Sequence, residues 1–466
     1  MDSLPQRPWT GQRVHFIGVG GAGMSGLARV LIDSGALVTG SDKVPNEQTD
    51  DLARRGATIS FQQRGELLSS ETTLVVRTAA VRDDNPEFEL AQRLKIPTTK
   101  YAQLLGQVMQ ERFGVAVAGT HGKSTTTAMV CHALLSCGME PSFVVGGHVP
   151  QLGGGSRSGA GPHFVVEACE YDRSFHNLRP RVAIVNNIEP EHLDCYGDLG
   201  AIINAFTTFA QLVPNEGGLV IGRGDDTNVA RVLEQVGRPV QTFGLASLGR
   251  FDWSIVPTQI VGGSHHGEVW HNEERVAVLK PALAGAHNLL NSTAALAACA
   301  ACGLGPIRAA EALATFTGVD RRMTELGHVN GAVVVDDYGH HPTEVRVTLK
   351  ALREKYSPVR LICVFQPHQH SRTRLLLDEF ATSFVDADET IVPEIYSVRD
   401  SAIDKASVSS HDLVERIGKS AVHVATFPDV IKRLRNTARA GDVIVTMGAG
   451  NVYEVARGLV GDSSSS

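Results

Sequence analysis

A chain of 466 residues with 42% apolar content is long enough for two to four domains, each with its own core. Its formal net charge of −7, with both signs dispersed, argues against a nucleic-acid surface. No apolar run reaches membrane-spanning length, no basic-then-apolar leader is present, and seven cysteines at this length make no disulfide framework, so a cytoplasmic protein is expected.

The first block opens with a strand over 14–19, then Gly18-x-Gly20-x-x-Gly23, then a helix over about 25–34 that Gly35 ends. A strand over 37–40 delivers Asp42, and a strand near 73–77 with helices near 86–94 and 101–112 continues the pattern. This βαβ alternation specifies a parallel sheet with right-handed crossovers. Gly18, Gly20, Gly23 and Asp42 taken alone fit a dinucleotide-binding fingerprint and so an NAD-dependent dehydrogenase. A tight turn that happens to need three glycines is the plainer reading. The run Gly20-Gly21-Ala22-Gly23-Met24-Ser25-Gly26 is denser in glycine than a dinucleotide turn requires, which favours some other nucleotide-linked ligand.

The second block begins near 113. An apolar run over 115–118 enters Gly119-Thr120-His121-Gly122-Lys123-Ser124-Thr125, and hydroxyl residues open a helix. Such a turn aims backbone N–H groups and a helix N-terminus at one spot, which suits phosphates. Lys123 can neutralise β- and γ-phosphates, and Ser124 is placed to hold Mg²⁺. The common phosphate loop has glycine five residues before Gly122; Val117 stands there, so this loop is shorter. ATP or GTP is the expected substrate.

Strands follow over 164–168, 182–186 and 218–221, then short alternating strands over 252–279 that read as an antiparallel side sheet, with His265 and His266 on its surface. Glu167 and Glu170 end one strand, and Asn186 to Asp194, including Glu191 and His192, ends the next. Strand C-termini of a parallel sheet share an edge with the phosphate loop, so a carboxylate and a histidine there could hold Mg²⁺. Helices are expected over about 289–302 and 308–315. Asn288 and Asn291 share a helix face, either to read a base or ribose or, for Asn288, to cap the helix. Cys299 and Cys302 read as buried helix thiols.

The third block, from about 321, places strands over 332–335, 360–364, 390–393 and 443–447 between helical stretches, again doubly wound. Asp336-Asp337-Tyr338-Gly339-His340-His341-Pro342 ends its first strand and suits metal or acid–base chemistry. Gln366 to Arg374 ends the next, with arginines suited to a carboxylate or phosphate. Ser463 to Ser466 reads as a disordered end.

These segments in this order resemble the Mur ligase family. The carrying motifs are His15 to Gly26, Gly119 to Thr125, Asn186 to Tyr196, His287 to Asn291, Gly318 to Arg322, Asp336 to Glu344 and Phe365 to His368. The resemblance implies a three-domain α/β protein: a Rossmann-like UDP-binding domain at 1–112, a central ATP-binding ligase domain with a side sheet at 113–320, and a doubly wound amino-acid-binding domain at 321–466. It implies ATP-driven amide formation in peptidoglycan precursor synthesis, with ATP and Mg²⁺ as cofactors. The substrates it implies are UDP-N-acetylmuramate and L-alanine, a tripeptide in place of alanine being the alternative. Carried onto this chain, Lys123, Glu170, His192, Arg322, Asp337 and His341 are the catalytic set, and Ser124, Glu170 and His192 the metal set. Gly119, Thr120, His121, Gly122, Lys123, Ser124, Thr125, His287, Asn288, Asn291, Arg322 and Asp337 fall by ATP. Gly18, Gly20, Gly21, Ala22, Gly23, Met24, Ser25 and Asp42 fall by the UDP, and Arg372 by the muramate carboxylate. Tyr338, His340 and His341 fall by the amino acid. Three residues depart from the pattern: Glu191 stands where aspartate is usual, Arg173 where glycine is usual, and Gln369 where arginine is usual, for which Arg374 is the expected substitute.

Overall fold

Three sheets, each wrapped by helices, follow one another along the chain. The computed structural model describes residues 9–78, 81–398 and 400–461. The serine tail read as disordered lies outside the described residues. The first sheet has five parallel strands in the order Thr58–Ser60, Leu37–Ser41, Arg13–Ile17, Leu74–Arg77, Thr98–Lys100. The chain winds outward from Arg13–Ile17 in one direction, then returns to its other side. That reversal opens a crevice at the strand's C-terminal end. Gly18 turns the chain there at φ 82, and helix Ala22–Asp33 begins at once, three residues earlier than its apolar period suggests.

The middle sheet has ten strands. Its centre, Phe113–Ala118, pairs in parallel with Val182–Val185 on one side and His163–Glu167 on the other. All three are apolar on both faces, as strands buried between helix layers must be. The antiparallel strands Trp253–Val261, Ser264–His271 and Glu274–Leu279 do not stand apart: Trp253–Val261 pairs in parallel with Val240–Leu245, so the side sheet continues the central one. Helices Lys123–Ser136 and Ala286–Ala301 pack together on one face, almost wholly buried. Cys299 and Cys302 are buried thiols within that core.

The third sheet runs Thr324–Val329, Ala332–Asp337, Asp442–Met447, Arg360–Phe365, Glu389–Val392, Ala421–His423. Only Thr324–Val329 is antiparallel, an edge strand with no apolar alternation to mark it beforehand. His265 is not a free surface residue. Its Nε2 lies 2.7 Å from Glu354 on helix Pro342–Tyr356, which ties the middle sheet's hairpin to the third sheet's layer.

Candidate active site

The phosphate-loop turn is built by two glycines. Gly119 lies at φ 147 and Gly122, the N-cap of helix Lys123–Ser136, at φ 77. A Cβ on Gly122 would sit 2.6 Å from Asn291 Oδ1, and one on Gly119 3.0 Å from Asn186 Cβ. Lys123 folds back over this turn, donating to the carbonyls of Gly119 (2.6 Å) and Thr120 (3.0 Å) and to Glu170 Oε1 (2.9 Å). Burial disfavours its charge, but Glu170 more than offsets this and keeps Lys123 an ammonium. Thr126 and Thr127 serve the helix instead: Thr126 accepts from Asn186 Nδ2 and Thr127 donates to the Lys123 carbonyl.

Glu170 is buried, and its second oxygen has no hydrogen-bond partner among the described residues. His192 Nε2 stands 3.8 Å from Oε1. A buried carboxylate oxygen without a partner, in reach of the loop that carries Ser124, fits a hard cation such as Mg²⁺, which takes one or two carboxylates and completes its shell with phosphate and water. The Arg173 departure has a visible accommodation. Arg173 adopts φ 53, a conformation glycine would enter without strain, and its guanidinium lies 4.9 Å from the centre of the Tyr196 ring.

A cavity of about 560 Å³ separates this loop from the third sheet. Asn288 and Asn291 face it from helix Ala286–Ala301, joined by an Asn291 Nδ2 to Asn288 Oδ1 bond of 3.2 Å. Gly285 is the N-cap, so Asn288 is not capping. His287 is pushed down to about 4, by burial first and then by Arg322, and is neutral near pH 7. Arg322 and Asp337 form the far wall. Asp337 accepts from the Met323 and Gly339 amides, and burial raises it to about 6.

Glu344, which the motif reading did not single out, organises this wall. It sits at N3 of helix Pro342–Tyr356 and accepts from the His340 amide at 2.9 Å and, at the His341 N-cap, from that residue's amide at 3.3 Å. Its other oxygen lies 3.3 Å from Arg322 Nη1 and 3.4 Å from His121 Nδ1. The signal for it was local: a glutamate three residues after an N-cap position. Burial pushes His121 down, but Glu189 and Glu344 outweigh it and raise the imidazole to about 9.

A second cavity of about 290 Å³ lies beside His192. Arg372 crosses from the third domain to Glu191 at 2.6 and 3.0 Å, a buried pair. Burial would raise Glu191, yet Arg372 and the nearby histidines hold it well below the usual carboxylate range. Gln369 is buried and donates to the Val398 carbonyl, whereas Arg374 stands exposed at the cavity rim. Burial keeps His340 neutral, down at about 3, while Tyr338 lies under the guanidiniums of Arg321 and Arg322.

At the first sheet's crevice Gly21 and Ala22 are exposed, while Met24 and Ser25 turn into the core because they fall on the inner face of their helix. Met24 packs in the core, and Ser25 Oγ donates to the Ala22 carbonyl at 3.1 Å. Asp42 is half-buried and accepts from the Gly20 amide (2.7 Å) and the Lys43 amide (2.7 Å), so it shapes the glycine loop.

Comparison with known proteins covers this whole arrangement. Residues 13–113 match the Mur ligase family catalytic domain, 117–299 the Mur ligase middle domain, and 321–450 the Mur ligase glutamate ligase domain. The chain is 41% identical over 449 residues to the UDP-N-acetylmuramate–L-alanine ligase of Acetivibrio thermocellus, covering 95% of this chain and 94% of that one. It is 39% identical over 448 residues to the protein of the same name from Geobacter sulfurreducens, covering 95% and 96%. Among solved structures, the UDP-N-acetylmuramate-alanine ligase of Thermotoga maritima superposes with a TM-score of 0.80 at 29% identity, covering 96% of this chain and 98% of that one. A murein peptide ligase from Psychrobacter arcticus gives 0.71 at 27%, covering 98% and 100%. With its three sheets, its phosphate loop and nearly its full length accounted for in this way, the chain belongs to the Mur ligase family.

Proposed function

We propose that the chain joins L-alanine to the lactyl carboxylate of UDP-N-acetylmuramate at the expense of ATP, as a cytoplasmic step of peptidoglycan precursor synthesis. The observation that carries this reading is the meeting, around two adjoining cavities, of a phosphate loop from the middle domain with arginines from the third. The relatives that cover almost the whole chain carry this activity in their names. We assign the UDP part to residues 1–112, ATP to 113–320 and the amino acid to 321–466.

A carboxylate is a poor electrophile, so it must first attack the γ-phosphate of ATP and become an acyl phosphate as the bond to the β-phosphate breaks and ADP leaves. Two anions then have to approach each other, and fixed positive charge aimed at the transferring group lowers that barrier. Lys123 supplies such charge once phosphate replaces Glu170 and the loop carbonyls as its partner. Arg322 faces the larger cavity, which the loop residues His121, Gly122 and Ser124 also line. Glu170, His192 and Ser124 would hold Mg²⁺, which when bound neutralises phosphate charge. Glu191 keeps Arg372 extended into the second cavity, where with Arg374 it can receive the muramate carboxylate. His340, neutral near pH 7, can accept a hydrogen bond from the amine of alanine. The uncharged amine then attacks the acyl carbon, the C–O bond to phosphate breaks, and the amine's proton leaves with the departing phosphate.

The test is phosphate release from ATP with UDP-N-acetylmuramate and each candidate acceptor. Release with L-alanine and a product carrying one added alanine are expected. Release only with a tripeptide would transfer the chain to the peptide-ligase reading, and no ATP consumption with any amine would end both.

A further inference from the structure

Two histidines and a carboxylate outside the proposed magnesium position converge where the middle and third domains meet. His121 comes from the phosphate loop, Glu189 from the loop after strand Val182–Val185, and His341 from the N-cap of helix Pro342–Tyr356. Their nearest ligand atoms all lie within 4.8 Å of one another. His121 Nε2 and His341 Nδ1 each stand 3.5 Å from the same oxygen, Glu189 Oε2. Tetrahedral zinc with bonds near 2.0–2.1 Å has ligand-to-ligand edges of about 3.3 Å, so two of the three edges are already close to that length.

The surroundings orient the lone pairs inward. His121 Nδ1 faces the Glu344 carboxylate at 3.4 Å, and His341 Nε2 faces the Pro190 carbonyl at 3.3 Å. Metal-bound histidines use their second nitrogen in this way. His121 Nε2 is left free to coordinate, whereas His341 Nδ1 accepts the Thr343 amide N–H at 3.3 Å, so an ion there takes over the lone pair that now caps helix Pro342–Tyr356. Thr343 Oγ1 donates to Glu189 Oε2 at 2.6 Å and fixes the carboxylate in turn. His121 Nε2 is buried and has no hydrogen-bond partner among the described residues. Glu189 and His121 border the larger cavity, which leaves room for a fourth ligand.

We infer that His121, Glu189 and His341 form a binding site for a divalent transition-metal ion of the zinc class, distinct from the magnesium position at Glu170. Two imidazoles select zinc or cobalt over Mg²⁺, which prefers oxygen. The ion takes the place of a proton on His121, because ligands must be deprotonated to bind. With two ligands from the middle domain and one from the third, a bound ion would fasten the domains together and slow any cycle that needs them to part. This site does not rest on the ligase reading, since binding is measured without substrate.

The experiment is equilibrium dialysis of the full chain against zinc chloride in excess Mg²⁺, with metal read by atomic absorption, and a parallel cobalt titration followed by visible absorption. Expected are about one zinc per chain and a cobalt band of a low-coordinate nitrogen–oxygen site. His341→Gln and, independently, Glu189→Gln should each weaken binding at least tenfold, since even outer-shell changes cost about 10–100-fold. Thermal melts without metal show that each variant is folded. His192→Gln, which alters the magnesium position, should leave zinc binding in place. Absence of binding in the wild-type chain, binding unchanged in both folded variants, or binding lost only in His192→Gln would each overturn the assignment.

Discussion

Replacing Lys123 by methionine keeps the volume and removes the charge. It deletes three hydrogen bonds and leaves the Glu170 carboxylate, only 4% exposed, with His192 as its remaining ion-pair partner among the described residues. Breaking a buried pair from one side costs about 3–5 kcal/mol, because the remaining charge stays desolvated. For a domain of this size, about 2–4 °C per kcal/mol translates it into a melting shift of roughly 6–20 °C in the middle-domain transition. Glu170→Gln added to Lys123→Met removes the stranded charge and should recover most of the shift, while phosphate release stays reduced by at least about 100-fold, the scale of losing one electrostatic contact to the reacting group. UDP-N-acetylmuramate binding, assigned to the first domain, should survive in both variants. The assays are differential scanning calorimetry, phosphate release and UDP-sugar titration. A single variant as stable as wild type, or a double variant less stable than the single, would refute the buried-pair argument. Equal loss of phosphate release and UDP-sugar binding would refute the division of labour.

Gly122→Ala should weaken ATP binding by about tenfold or more, since a left-handed alanine costs about 1–2 kcal/mol and its Cβ would press on Asn291 Oδ1; titration with a non-hydrolysable analogue reads this. His121 is raised to about 9 between Glu189 and Glu344, so its contribution to domain contact is complete below its ordinary value of 6.5 and fades as pH rises through about 9. Melting temperature across that window should fall in wild type and stay flatter in His121→Gln; parallel curves would exclude a stabilising role for the His121 contacts with Glu189 and Glu344. Arg374→Ala should raise the KM for UDP-N-acetylmuramate several-fold while leaving that for ATP unchanged, because Gln369 is committed to the Val398 carbonyl. An unchanged KM would remove Arg374 from the carboxylate site.

The βαβ order of all three blocks and both glycine turns was legible because each rests on local requirements. Apolar periodicity sets strand and helix, and positive φ at Gly18, Gly119 and Gly122 demands glycine. The antiparallel edge strand Thr324–Val329 was not legible, since its residues alternate too weakly to bury a face. Nor was the inward turn of Met24 and Ser25, which follows from where the helix starts.

What the chain's order of residues determined alone is the position of the phosphate loop, of the glycine crevice and of the polar runs that end the strands. What tertiary structure decided is which of those residues meet. Lys123 reaches Glu170 across 47 positions and Arg372 reaches Glu191 across 181. Glu344 serves two domains at once, and Asp42 closes on Gly20. Local propensity acts over a few residues, whereas these partners are brought together by sheet register and domain packing, which depend on the whole apolar core at once.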